Sequence, residues 1–259
     1  MGMHIMWNYL PSFVEKYRWI PRIADDGGLR FPRQFNADDA CRLLGNRTVL
    51  VLGDSTMAQA SSALHNAFLP GGCQQNIINV LSDTLVKRSL GHMNRGPHWT
   101  TAVDRVGPDI VIYSFGAHIT GEHLFKEVFN ETLAEMSRME AETNSSIRFV
   151  YKTQSPGGCS RTISSERPDR AAASYPPEAL KYQHAMFHGR DLYAIGQLKS
   201  RGRLFLDMRM LYSRGDAHPG SAAWPKSGRK TDCLHFCSPG PLDVIADLFY
   251  DLLLSDLSL

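Results

Sequence analysis

Apolar residues along this chain fall into short blocks with two different periods. Thr48 to Leu52 and Asp109 to Phe115 are nearly unbroken apolar runs with several β-branched residues. That pattern predicts strands covered on both faces. Ile147 to Thr153 and Arg203 to Met208 read as further strands, and Asn76 to Leu81 as another. Between them, Thr56 to Phe68, Glu122 to Glu142 and Pro177 to Lys199 have helical spacing. In the middle one the stripe runs through Leu124, Val128, Leu133, Met136 and Met139. Pro70-Gly71-Gly72 stops the first helix, and Pro241 to Leu254 predicts a closing amphipathic helix. Strands alternating with long helices need crossover connections. The expected fold class is therefore α/β, a three-layer sandwich with a mainly parallel central sheet flanked by helices.

The rest of the chain reads as connections. The first forty residues mix Trp7, Tyr9, Tyr17 and Trp19 with prolines and charges. They predict an N-terminal arm, residues 1–45, packed on the core. Residues 159–176 and 211–231 read as loops, the second rich in Gly, Pro, Ser and Lys. The spacing of apolar runs is continuous and there is no internal repeat, so residues 1–259 are expected to form a single domain.

Composition narrows the function classes. With 43% hydrophobic and 21% charged residues, the 259-residue chain can bury a large core. Its net charge is +2 with Lys and Arg scattered, which gives no basic face for nucleic acid. No stretch approaches the roughly 18–20 consecutive apolar residues of a membrane span. The run at Met1 to Pro11 is too short and interrupted for a signal peptide, although the chain can be the luminal part of a longer protein. Cys41, Cys73, Cys159, Cys233 and Cys237 are odd in number, so at least one has no partner within the chain. Glycosylation acceptor sites at Asn46, Asn130 and Asn144 exceed chance and point mildly to the secretory pathway.

The candidate chemistry sits at two places. The first apolar run stops at Gly53-Asp54-Ser55, which puts a serine just past the end of a buried strand. In an open α/β sheet ligands bind at that end. A serine hydroxyl is a poor nucleophile until a base and an orienting group activate it. Asp232-Cys233-Leu234-His235, roughly 180 residues later, supplies both. His235 is the expected base and Asp232 the carboxylate that holds its ring. The N–H of Ser55 opens a helix and suits an oxyanion hole. Gly53 and Asp54 line the same turn, with Asp54 expected to fix the loop. The competing structural role for Ser55 is that of a helix cap. A nucleotide-binding alternative would need a Gly-rich phosphate loop after the first strand, which this sequence does not have.

These motifs resemble the PC-esterase group of the SGNH (GDSL-like) hydrolases, and in particular the trichome birefringence-like polysaccharide O-acetyltransferases. The resemblance rests on Val51-Leu52-Gly53-Asp54-Ser55, on Lys152-Thr153-Gln154-Ser155-Pro156 and on Gly157-Gly158-Cys159-Ser160-Arg161-Thr162. It continues through Leu206-Asp207-Met208 to Asp216-Ala217-His218-Pro219, and through Asp232 to Asp243. This chain has Phe236 where the family usually has Trp, and Val244-Ile245 where Trp-Asn is customary. The resemblance implies an SGNH-type sheet of flavodoxin-like order and a Ser-His-Asp double displacement. Ser55 would take an acetyl group from a donor, and a polysaccharide hydroxyl would accept it. With water as acceptor the same site is an esterase. No cofactor is implied beyond the acetyl donor as co-substrate, and no metal. The implied partners are a carbohydrate acceptor and the donor, and the implied location is the Golgi lumen.

Further candidates surround this core set. His118 and Gly116 follow the second strong strand and are candidates for oxyanion or sugar contact. The alternatives are a structural histidine and a turn glycine. Asn94 and Arg95, with Gly96, are candidates for substrate contact or a solvated loop. His218 resembles a family feature near the site rim, with a structural role as the alternative, and Trp99 and Trp224 are candidate sugar platforms or packing residues. The resemblance implies a Cys159–Cys233 disulfide and pairs Cys237 with an upstream cysteine such as Cys41. A rival reading gathers Cys159, Cys233, His235 and Cys237 around zinc, at the cost of leaving Ser55 without a base.

Overall fold

The computed structural model describes residues 33–86, 95–143, 146–155, 184–213, 218, 232, 234–236, 238 and 240–256. Among the described residues five strands form one sheet: β1 (Val49–Gly53), β2 (Ile77–Leu81), β3 (Ile110–Ser114), β4 (Arg148–Lys152) and β5 (Leu204–Leu206). All neighbours are parallel and the order is β2-β1-β3-β4-β5. The chain steps outward from β1 to β2 and then returns to the other side of β1. The switch point of the sheet therefore lies between β1 and β3, with Gly53 in register with Leu81 and Ser114.

The unbroken apolar runs become β1 and β3, two of the three inner strands. Every residue of both is buried. The pleat divides them between two cores. Val49, Val51, Ile110, Ile112 and Val150 face α1 (Ala37–Leu44), α2 (Ser55–Phe68) and α6 (Val244–Ser255). Leu50, Leu52, Val111, Tyr113, Phe149 and Tyr151 face α3 (Trp99–Val106), α4 (Glu122–Thr143) and α5 (His184–Lys199). This is the three-layer α/β sandwich that the sequence predicts. β5 is shorter than the run from Arg203 to Met208. After Leu206 the chain turns, and the Asp207 carboxylate accepts the N–H of Arg209 and pairs with its guanidinium.

Two helices were not expected. α1 forms inside the arm, capped by the Asn36 side chain, which accepts the N–H of Asp39. α3 is capped by His98, outside the usual Ser, Thr, Asp and Asn set, and ends at Gly107 in the left-handed region. Cys41 on α1 is bonded to Cys73, which corrects the pairing of Cys41 with Cys237. The reason is local. Gly71 lies so close to α1 that a Cβ there would stand 2.6 Å from the Cys41 sulfur, which brings Cys73 within reach. Cys159, Cys233 and Cys237 lie outside the described residues, and so do Asn94, Asn144 and Trp224. Trp99 is fully buried, donates from its indole N–H to Glu135 and packs edge-on against Phe149, so it belongs to the core. Among the described residues no helix is long and apolar enough to cross a membrane.

Candidate active site

Ser55 is the first residue of α2 and stands half-buried at the carboxyl end of β1. The turn that delivers it is tightly set. A Cβ on Gly53 would stand 2.1 Å from the Ser114 carbonyl oxygen, so only glycine lets β3 approach at this level. Asp54 is the helix cap. Its Oδ1 accepts the Thr56 N–H at 2.9 Å and the Thr56 hydroxyl at 2.7 Å, and the residue is buried. That is the loop-fixing geometry expected for Asp54, and such a cap contributes about 1 kcal/mol.

His235 arrives from the connection before α6. Its Nε2 lies 2.9 Å from Ser55 Oγ, and its Nδ1 lies 2.8 Å from Asp232 Oδ2. The other oxygen of Asp232 accepts the N–H groups of Leu234 (3.0 Å) and His235 (3.2 Å). Burial alone would raise the Asp232 pKa. Hydrogen bonding and charge from His235, with the two N–H groups, outweigh it and bring the carboxyl down to about 2. An ionised carboxylate only accepts, so the proton sits on Nδ1 and Nε2 is left to accept from the Ser55 hydroxyl. Both ring nitrogens are engaged, and a zinc ligand role for His235 would have to break one of these bonds.

The loops after β2, β3 and β4 close round the same end of the sheet. Asp83, just past β2, is fully buried. It accepts the backbone N–H of Arg95 (3.1 Å) and its Nε–H (3.0 Å), and lies 3.7 Å from His118 Nε2. One carboxylate thus gathers two of the candidate residues, Arg95 half exposed and His118 nearly buried. Gly116 is pressed against Gln154, whose Oε1 would lie 2.5 Å from a Cβ there. Its carbonyl accepts from Arg190 at 2.8 Å. The same guanidinium donates to the carbonyls of Ile119 (3.0 Å) and Gly121 (3.2 Å), and so fixes the loop that carries His118. The next residue, Asp191, accepts the N–H of Gln154 at 2.9 Å in the loop after β4. Lys152 is fully buried and donates to the Thr153 carbonyl and the Ser155 hydroxyl. Burial lowers its pKa to about 8 against the pull of Asp54 and Asp191.

Sequence reading missed Asp83, Arg190 and Asp191. A polar Ser82-Asp83-Thr84 directly after a strand was the available signal for the first. The other two sit in mid-helix, where charged residues are ordinarily solvated, and carried none. Among the described residues no group of His, Cys, Asp and Glu is arranged to hold a metal.

A half-buried serine at the switch point of a parallel sheet, joined to histidine and aspartate, is the arrangement of a GDSL-like acyl-esterase fold. Residues 94–252 match the PC-esterase model, described as a GDSL/SGNH-like acyl-esterase family found in Pmr5 and Cas1p, and the chain belongs to that family. The matched part carries Asp232 and His235, and Ser55 precedes it. Three solved structures share the fold. One is a protein assigned as an acylhydrolase from Bacteroides fragilis, 14% identical with TM-score 0.51, the match covering 85% of this chain and 95% of that one. A GDSL-like lipase from Bacteroides thetaiotaomicron is 12% identical with TM-score 0.50, covering 80% and 88%. The periplasmic domain of a Salmonella ser. Paratyphi A lipopolysaccharide acetyltransferase is 17% identical with TM-score 0.50, covering 80% and 82%. No curated protein matches the sequence closely enough to count as a relative.

Proposed function

We propose that this chain is an O-acetyltransferase that moves an acetyl group onto a hydroxyl of a polysaccharide or glycan through an acetyl-serine intermediate. The observation that carries the reading is the continuous line Ser55 Oγ, His235 Nε2, His235 Nδ1, Asp232 Oδ2, with both links under 3 Å. In this reading His235 accepts the Ser55 proton as Oγ attacks the donor's acetyl carbonyl. The imidazolium then gives the proton to the leaving group, while Asp232 stabilises its charge. The N–H of Ser55, at the positive end of α2, faces the charge developing on the carbonyl oxygen. A sugar hydroxyl then loses its proton to His235 and attacks the acetyl carbonyl; the bond between the acetyl group and Ser55 Oγ breaks, and His235 returns the proton to Oγ, which restores the free serine.

His118, Arg95 and Gly116 are assigned to holding donor and acceptor, and Asn94, which lies outside the described residues, is given the same role on its sequence position alone. The family's acyl-esterase description and the acetyltransferase among the similar folds support acyl transfer. The Cys41–Cys73 bond and the exposed acceptor sites Asn46 and Asn130 support a luminal location, which we assign to the Golgi. The test is turnover of an acetyl-ester donor with and without xylan-type oligosaccharide. Acetylated sugar that disappears in Ser55→Ala is the expected result. Donor consumption with no acetylated sugar makes the protein an esterase. Undiminished turnover by Ser55→Ala rejects a serine mechanism, and a protein that binds the sugar without any turnover is a polysaccharide-binding module on this fold.

A further inference from the structure

Resting on that reading, we propose that Gln59 is the positioning residue that holds His235 at bonding distance from Ser55, with His218 as its second anchor. Ser55 and Gln59 are four residues apart on α2 and therefore project from one helix face. Ser55 meets the imidazole of His235. One turn on, the Gln59 amide meets the backbone of the next residue. Its Oε1 accepts the Phe236 N–H at 3.0 Å, and its Nε2 donates to the Phe236 carbonyl. Only one orientation of the amide satisfies both bonds, so the group works as a two-pronged grip. Gln59 is buried, and nothing in a helix core of this kind requires a primary amide for packing.

The neighbouring backbone groups are held in the same way. The His235 N–H goes to Asp232, and the His235 carbonyl is 2.8 Å from Nδ1 of His218. A carbonyl oxygen only accepts, so that nitrogen carries a proton. The His218 ring is fully buried and lies on Phe236, with centroids 4.2 Å apart. Every main-chain donor and acceptor of His235 and Phe236 is thereby held by a side chain: Asp232, His218 or Gln59. These two residues lie in no helix or strand, yet their backbone is fixed as firmly as a ladder would fix it. The nucleophile and the ruler that sets the base stand on one rigid helix. The Ser55–His235 distance is then set by one helical turn rather than by the length of the connection before α6.

The experiment measures kcat and KM for p-nitrophenyl acetate, and labelling by a serine-directed fluorophosphonate, with each variant kept well below its melting temperature. Gln59→Met keeps the volume and removes both bonds. The expected result is a fall in kcat of about a hundredfold, the scale of a 1 Å misplacement, with KM changed less than threefold. His218→Asn, whose Nδ2 can stand where Nδ1 stands, should retain at least ten times the kcat of His218→Leu. Val128→Ala, in the core on the other side of the sheet, lowers the melting temperature and leaves kcat near wild type. Gln59→Met with wild-type kcat, or a kcat loss in Val128→Ala that tracks stability equally, overturns the proposal. Ser55→Ala separates the levels: if it turns over normally the acyl-transfer reading fails, and if it is inactive while Gln59→Met is not, only the grip fails.

Discussion

Both ends of the sheet are rich in charge, but they use it differently. At the amino ends of the strands, Arg47, Asp109, Glu140, Arg148, Arg201, Arg203 and Asp256 line a cavity of about 630 Å³. There Arg203 pairs with Glu140 across elements, Arg201 bonds back to its own helix, and Asp109 and Arg148 are exposed. At the carboxyl ends, Asp54, Asp83, Lys152, Arg190 and Asp191 are all buried. Asp54, Asp83, Arg190 and Asp191 each bond to backbone groups of the turns that surround Ser55. Burying a charge is expensive unless it is paired and hydrogen-bonded. The first end spreads charge where water shares the cost. The second removes it from water and obtains fixed loop geometry in return, which is what a reacting centre needs.

That contrast can be broken most forcibly at Asp232. Asp232→Asn places an amide N–H against Nδ1 and drives the His235 proton to Nε2, where it can no longer accept from Ser55. Turnover should fall by roughly 10⁴-fold with the circular dichroism spectrum unchanged. A loss below tenfold would mean that the carboxylate does not set the tautomer. Next comes a pair of arginines. Arg190→Met strands three loop carbonyls and should lower unfolding free energy by about 3 kcal/mol, whereas Arg201→Ala at the far end should change it by under about 0.5 kcal/mol. Equal effects in chemical denaturation would erase the distinction between the two ends.

Two pH effects are smaller. Lys152 has a folded pKa of about 8 against 10.5 ordinarily, so between those values the unfolded chain holds the extra proton. Stability should therefore gain from this group as pH rises from about 8 to 10. Lys152→Met should remove that gain, and an unchanged slope would show the amine is not confined as described. Beyond pH 10 the buried Tyr113 and Tyr151, with raised pKa values, reverse the trend. Asp232 works in the other direction on the acid side. Its folded value of about 2 lies under the ordinary 3.8, so its contribution is full above about 4 and is lost as pH falls to about 2. Its side chain is 38% exposed, which keeps the effect small. Asp232→Asn should flatten that part of the acid unfolding curve.

The sheet was legible because its signal is strong and local. Val49-Leu50-Val51-Leu52 and Ile110-Val111-Ile112 are apolar on both faces, and only a strand between two helical layers uses such a run. Ser55, Asp232 and His235 were legible as candidates because activating a hydroxyl demands those residue types, and the fold brings the three side chains into one hydrogen-bonded line. α1 and α3 escaped because eight residues hold too few turns to show a period, and His98 is an unusual cap. Cys41 could not be assigned to Cys73 because the approach at Gly71 depends on packing rather than on spacing. Gln59, Arg190 and Asp191 were hidden for a related reason. Each sits at an ordinary helical position, and its meaning lies in the backbone it reaches, 177 residues away for Gln59, 69 to 74 for Arg190 and 37 for Asp191.

Trapping the covalent intermediate decides whether Ser55 carries the acyl group. The protein is mixed with an activated acetyl ester, quenched in acid at short times, digested, and its peptides are analysed by mass spectrometry. One acetyl group is expected on the peptide containing Ser55, formed before the steady state and absent in Ser55→Ala. Acetyl found elsewhere at full turnover, or an equal yield from Ser55→Ala, would rule out an acetyl-serine mechanism.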